Sequence, residues 1–151
     1  MDYVIRQLAG EDEPILWEML YQALHTSEGA PPRDAVKRPE FARYVESWGR
    51  MADVGFVAQD ARDNGLLGAV WIRLFGTDPG TTPNLAFAVK PGHRRLGIGA
   101  ALLTQLVKAT PHYSVISIRA SASNPAVRLY ERFGFKIVSD NEGTLTMRRG
   151  T

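Results

Sequence analysis

Val89-Lys90-Pro91-Gly92-His93-Arg94-Arg95-Leu96-Gly97-Ile98-Gly99-Ala100 is the stretch that organises the chain. Leu85-Ala86-Phe87-Ala88-Val89 reads as a strand, and Pro91 cannot continue a sheet ladder, so the strand ends at Lys90-Pro91-Gly92. Gly97 to Ala109 is apolar enough for a helix on a sheet, with Ile98, Ala101, Leu102, Leu106 and Ala109 on one face. A strand, a glycine-rich basic loop and a helix start together suit an anion. Glycines let the backbone approach a ligand closely, the first helical N–H groups lack partners, and the helix dipole favours negative charge. Arg94 and Arg95 add positive charge. A solvated strand-to-helix turn accounts for the same letters equally well.

Two other phosphate sites do not fit. A P-loop needs Gly-Lys before Ser or Thr, but Ala100-Ala101 follow Gly99. A dinucleotide fingerprint needs a third glycine where Leu102 stands and an acid near Ser117, Ile118 and Arg119, and has neither.

Element types alternate on both sides of this stretch. Tyr3–Leu8 is a strand, and Glu11-Asp12-Glu13-Pro14 opens a helix whose stripe is Leu16, Met19, Leu20, Ala23 and Leu24, with Trp17 and Tyr21 off it. Thr26–Pro39, with Gly29, Pro31, Pro32 and Pro39, is a long connection. A shorter helix is expected over Glu40–Trp48, then strands at Gly55–Gln59 and Leu66–Ile72 joined by an Asn64-Gly65 hairpin turn. Downstream, Val115–Ile118 is a buried strand. Asn124-Pro125 starts a helix stopped by Gly134, with Ala126, Leu129, Tyr130 and Phe133 buried. Lys136–Val138 and Thr144–Met147 close the chain as a hairpin. The expected class is mixed α/β or α+β.

The chain has 151 residues, a length that predicts one domain over 1–151. Eighteen basic and sixteen acidic residues leave +2, too little for wholesale nucleic-acid binding. Lys90, His93, Arg94 and Arg95 alone make a small footprint for it. Without cysteine there is no disulfide, thiolate metal site or cysteine nucleophile, and the three histidines are isolated, so no metal is expected. No signal peptide or apolar run of about 18 residues is present, which predicts a chain that is soluble, cytoplasmic and not bound to membranes.

Arg94-Arg95-Leu96-Gly97-Ile98-Gly99 is similar to the Arg/Gln-x-x-Gly-x-Gly/Ala signature of the GNAT superfamily of acyl-CoA-dependent N-acyltransferases. Asn124-Pro125-Ala126-Val127-Arg128-Leu129-Tyr130-Glu131-Arg132-Phe133-Gly134-Phe135 resembles the family's late helix, with Asn, Ala, Tyr and Gly-Phe in register. The resemblance covers nearly the whole chain. It implies a mostly antiparallel sheet of six to seven strands, splayed central parallel strands and about four helices.

The resemblance also implies acetyl-CoA as co-substrate and an amine acceptor. Leu96, Gly97, Ile98, Gly99 and Ala100 would hold the pyrophosphate through main-chain N–H groups, flanked by Arg94 and Arg95. The strand end Phe87-Ala88-Val89 would pair with the pantetheine arm, Asn124 would contact the arm or the thiol end, and Tyr130 would protonate the leaving thiolate. Tyr130 also lies on an apolar stripe, where a tyrosine is commonly a core residue. Many members carry a glutamate base at the position of Asn84, which cannot accept a proton; His25, Glu28 and Asp78 are the candidates to replace it, although each reads more readily as a solvated surface residue. That exchange makes a regulatory acyl-CoA-binding module the alternative to an enzyme. Trp17, Tyr21, His25 and Trp48 fall where the family builds its acceptor site, though packing explains them at least as well. The family's domains often pair, which leaves a homodimer open.

Overall fold

Leu66–Arg73 is buried along nearly its whole length, as a strand covered on both faces must be. Alternate residues enter two cores. Val70 and Ile72 face one, Ala69 and Trp71 the other, following the two-residue period of a strand. In the computed structural model, which describes residues 2–24, 31–75, 82–90 and 97–150, this strand is β3 of a seven-stranded sheet.

The elements are β1 (Tyr3–Gln7), α1 (Glu13–Ala23), α2 (Pro39–Ala42), β2 (Val54–Asp60), β3 (Leu66–Arg73), β4 (Asn84–Val89), α3 (Ile98–Ala109), β5 (Val115–Ser121), α4 (Val127–Arg132), β6 (Lys136–Asn141) and β7 (Thr144–Gly150). The strand order is β1-β2-β3-β4-β5-β7-β6, and every neighbouring pair is antiparallel except β4 with β5. This is the mixed class expected. On one face, Leu102, Leu103 and Leu106 of α3 and Tyr130 of α4 pack on Val70, Ile72, Leu85 and Ile118. On the other, Leu16, Met19 and Leu20 of α1 pack on Val57, Ala69, Trp71 and Ala86. This second core takes in β2 to β4 and no residue of β5, β6 or β7. Among the described residues no helix is long and apolar enough to cross a membrane.

Local chemistry explains several boundaries. Asp12 accepts the Ala9 N–H at 2.7 Å and hydrogen bonds from both terminal guanidinium nitrogens of Arg6 at 2.9 Å, which ties the entry of α1 to β1. Asn64 takes φ 62° and the Gly65 N–H donates to Asp63 Oδ1 at 2.8 Å, so the β2–β3 hairpin turns where Asn-Gly predicted.

The helix expected over Glu40–Trp48 is cut short: α2 ends at Ala42 and turns follow. Arg73 is the cause. Its guanidinium is fully buried, pairs with Asp53 at 2.8 and 3.1 Å, and donates to the carbonyls of Arg43 and Glu46, while Asp53 Oδ2 takes the N–H groups of Gly49 and Arg50. A tertiary ion pair therefore claims peptide groups that a longer helix would have used internally. Two other expectations shift. Tyr21 is buried in the second core although it lies off the α1 stripe, and Ala109 at the end of α3 is exposed. The helix expected from Asn124-Pro125 begins at Val127, after a turn held by Asn124.

Candidate functional site

β4 and β5 pair only at Asn84↔Ser117 and Leu85↔Ile118. Beyond that point β4 stays with β3 as far as Val89, and β5 stays with β7 as far as Ser121, so the two parallel strands diverge. The divergence strands main-chain groups. The Ser117 N–H donates to Pro83 O at 3.0 Å and the Lys90 N–H to Leu67 O at 2.8 Å, which sets the alternation along β4. By that alternation the peptide groups of Phe87 point toward β5, where no strand remains to receive them.

The gap is a cleft of about 1050 Å³. One wall is the end of β4, at Phe87, Ala88 and Val89, with the first turn of α3 at Gly97, Gly99 and Ala100. The other is the end of β5, the Ala122–Ala126 loop and α4. Gly97 takes φ +81°, a left-handed conformation that side chains resist, and turns the chain into α3. A Cβ on Gly99 would come within 2.8 Å of Phe87 Cζ and 3.1 Å of Leu129 Cδ2, so glycine is what lets α3 approach β4 and α4 this closely. The Ala101 N–H reaches Gly97 O at 3.1 Å, and among the described residues no side chain caps the helix. Among the described residues, the N–H groups of Ile98, Gly99 and Ala100 are therefore left for a ligand.

Tyr130 projects from α4 into the opposite wall with only 2% of its surface exposed. Its ring meets Phe87 and Phe135 edge-on, at centroid distances of 5.7 and 6.1 Å. Among the described residues its hydroxyl has no hydrogen-bond partner, yet the one wholly buried polar side-chain atom lacking a partner is Arg43 Nε. The Tyr130 oxygen is thus open to the cleft. Burial pushes its ionisation far above the ordinary phenol range, so it stays a proton donor. Asn124 uses Oδ1 to accept the Ala126 N–H at 2.9 Å, which leaves its amide nitrogen over among the described residues.

Phe87, Ala88, Val89, Gly97, Gly99, Ala100, Asn124 and Tyr130, singled out from the sequence, share this cleft. Ile98 can contribute only main chain, because its side chain is buried in the core. Asn84 lies elsewhere. It sits at the start of β4, on the sheet face that Ala86 shares with α1, and donates to Thr82 O at 3.3 Å. Arg94, Arg95 and Leu96 lie outside the described residues, as do His25, Glu28 and Asp78. Trp48 and Tyr21 are core residues, and Trp17 is half-buried beneath Lys37, whose Nζ lies 4.0 Å from the ring centroid. The sequence reading missed Ser121, Ala122 and Ser123 on the cleft wall. Their signal is positional: ligands gather beyond the carboxyl ends of parallel strands.

The family model described as Acetyltransferase (GNAT) family matches residues 17–135. No curated protein matches the chain significantly in sequence. Similar solved structures include PaiA N-acetyltransferase from Thermoplasma acidophilum in complex with coenzyme A, 18% identical over 100% of both chains with a TM-score of 0.70. An N-acetyltransferase from Staphylococcus aureus Mu50 is 20% identical over 99% of each chain, TM-score 0.72. YncA from Salmonella typhimurium, solved with its cofactor acetyl-CoA, is 19% identical over 99% of this chain and 94% of its own, TM-score 0.67. At such identities the likeness is one of fold, while the family match spans most of the sequence: the chain belongs to the GNAT acetyltransferase family.

Proposed function

We propose that the chain is an acetyl-CoA-dependent N-acetyltransferase that moves the acetyl group to an amine by direct attack. The observation that carries this reading is the divergence of β4 from β5 after Leu85 and Ile118, which turns the main chain of Phe87 toward an open cleft opposite Tyr130. The donor set suits coenzyme A. The free N–H groups at the start of α3 match a pyrophosphate, with Arg94 and Arg95 beside them in sequence, and the main chain of Phe87 can accept and donate to the pantetheine amides as an added strand does. Asn124 would meet the arm near its thiol end.

The chemistry asked of the protein is modest. The amine must be neutral to attack, although a lysine-like amine has a pKa near ~10.4. As its nitrogen bonds to the thioester carbonyl carbon and the carbon–sulfur bond breaks, the amine releases a proton to water, the departing thiolate takes one from Tyr130, and water returns a proton to Tyr130 before the next turnover. Main-chain N–H groups at the end of β4 can stabilise charge on the carbonyl oxygen. Burial keeps Tyr130 protonated through the working pH range, so its proton is present when the thiolate departs.

Asn84 favours a second reading, a binding module with little turnover, because it stands where relatives are expected to carry a carboxylate. Titration with acetyl-CoA, coenzyme A, ATP and NADH, followed by thiol release across a panel of amines, separates the two. Selective binding with amine-dependent thiol release supports the enzyme, binding without release supports the module, and no binding at millimolar acetyl-CoA refutes both. If the proton leaves through water for want of a base, Asn84→Glu will move the acid limb of the pH–rate profile; an identical profile removes Asn84 from the mechanism.

A further inference from the structure

On the face that α1 and α2 leave uncovered, β5, β7 and β6 present their side chains in cross-strand rows. Ser117, Arg148 and Lys136 form one row, and Arg119, Thr146 and Ser139 the next. Over the second row lies a hollow of about 460 Å³ lined by Arg119, Ser139, Asn141, Glu142, Thr144 and Thr146. Arg119 is exposed and, among the described residues, makes no hydrogen bond or salt bridge, and the same holds for Arg148 and Lys136. Glu142, at the tip of the β6–β7 hairpin, is the carboxylate of the hollow.

Position gives Arg119 its significance. It follows Ile118, the last β5 residue paired with β4, so it stands where the sheet opens. Ile118 and Ala120 enter the α3 core, and Arg119 between them faces the opposite side of the sheet from the cleft. A molecule held by Arg119 lies one residue past the last β4–β5 pair, on the face of the sheet away from Tyr130. Cationic character extends to the turn after α2, where the Arg43 guanidinium lies 4.2 Å from the Phe75 ring centroid and its Nε is buried without a partner among the described residues; burial raises the ionisation of the neighbouring Tyr44 hydroxyl, and Arg119 and Arg43 partly oppose that rise. A guanidinium with free donors beside two hydroxyls is built for an oxyanion, which it can hold through two parallel hydrogen bonds.

We propose that the acceptor amine also carries an anionic group, a carboxylate or a phosphate, and that Arg119, with Thr146 and Ser139 beside it, selects for that group. This rests on the acetyltransferase reading above and adds the acceptor's chemical class to it.

Matched acceptors test it by thiol release: amino acids against their amides for the carboxylate, and phosphoethanolamine against ethanolamine for the phosphate, with putrescine as the cationic extreme. The anionic member of at least one pair should show the lower KM. Arg119→Gln should raise that KM about tenfold, the loss of one charge-assisted contact, leaving kcat and coenzyme A affinity unchanged. Arg119→Lys should recover part of the loss, and Glu142→Gln, which removes a repelling charge, should lower the KM. If coenzyme A binds but neutral or cationic amines are preferred, or if no acceptor distinguishes Arg119→Gln from the parent, the assignment is overturned and the cofactor reading stands. If coenzyme A does not bind, the acetyltransferase reading fails first.

Discussion

Tyr130→Phe should separate function from stability. The substitution removes one oxygen and keeps the ring that meets Phe87 and Phe135 edge-on. A buried hydroxyl ordinarily contributes about 1 kcal/mol through its hydrogen bond, but this one has no partner among the described residues, so no such bond is lost. What disappears is the desolvation of a polar atom at a cleft wall, and the variant should be as stable as the parent or more stable by at most about 1 kcal/mol. For a chain of this length that is a rise of roughly 0–4 °C in Tm. Turnover should move the other way, falling about a hundredfold or more if the phenol protonates the leaving thiolate, with acetyl-CoA affinity unchanged. Thermal unfolding, calorimetric titration and thiol release on one preparation measure all three. A loss above about 1 kcal/mol would mean the hydroxyl is bonded and structural, and unaltered turnover would remove Tyr130 as the acid. The parent should also show no descending limb from Tyr130 below pH ~10, because burial raises its ionisation above the ordinary phenol value.

Further outcomes follow from the packing. Gly99→Ala gains up to about 1 kcal/mol of helix propensity but forces Phe87 and Leu129 apart, at about 1–3 kcal/mol; urea unfolding should show net loss and titration weaker acetyl-CoA binding. Arg73→Met leaves Asp53 buried without its cation and frees the Arg43 and Glu46 carbonyls, so chemical denaturation should register a loss of about 3–5 kcal/mol, and a change under 1 kcal/mol would contradict the role given to the pair. Asp12 titrates below its ordinary value of 3.8, chiefly through the hydrogen bond from Arg6, so its stabilisation is complete above that value and fades as pH falls through the lower folded one. Asp12→Asn should flatten the stability curve below pH ~4, and an unchanged acid limb would assign that limb to other carboxylates.

Several features were legible because they are local. Asn64-Gly65 specifies its hairpin turn by conformational preference, the continuous apolar run Leu66–Ile72 marks a strand, and the 3.6-residue stripe of α3 reports a buried face directly. The fold class and most of the cleft followed from these and from the two motif segments. Other features were hidden because they depend on distant groups. The shortening of α2 is dictated by Arg73, thirty residues away in sequence from Arg43, whose carbonyl it takes. Tyr21 is buried by the second core rather than by its own helix stripe, and Ser121–Ser123 become a cleft wall only because β4 departs from β5.

The amino-acid sequence by itself determined the elements, their order and the residues able to cradle an anion, since propensity, turn chemistry and periodicity act over a few residues. Only the tertiary structure decided that β4 and β5 part after two paired positions, that Tyr130 lines the gap while Arg119 faces the other side of the sheet, and that Asn84 stays off the cleft. Periodicity records which face of a strand is buried; it carries no information about which strand lies beside it or how far the pairing runs.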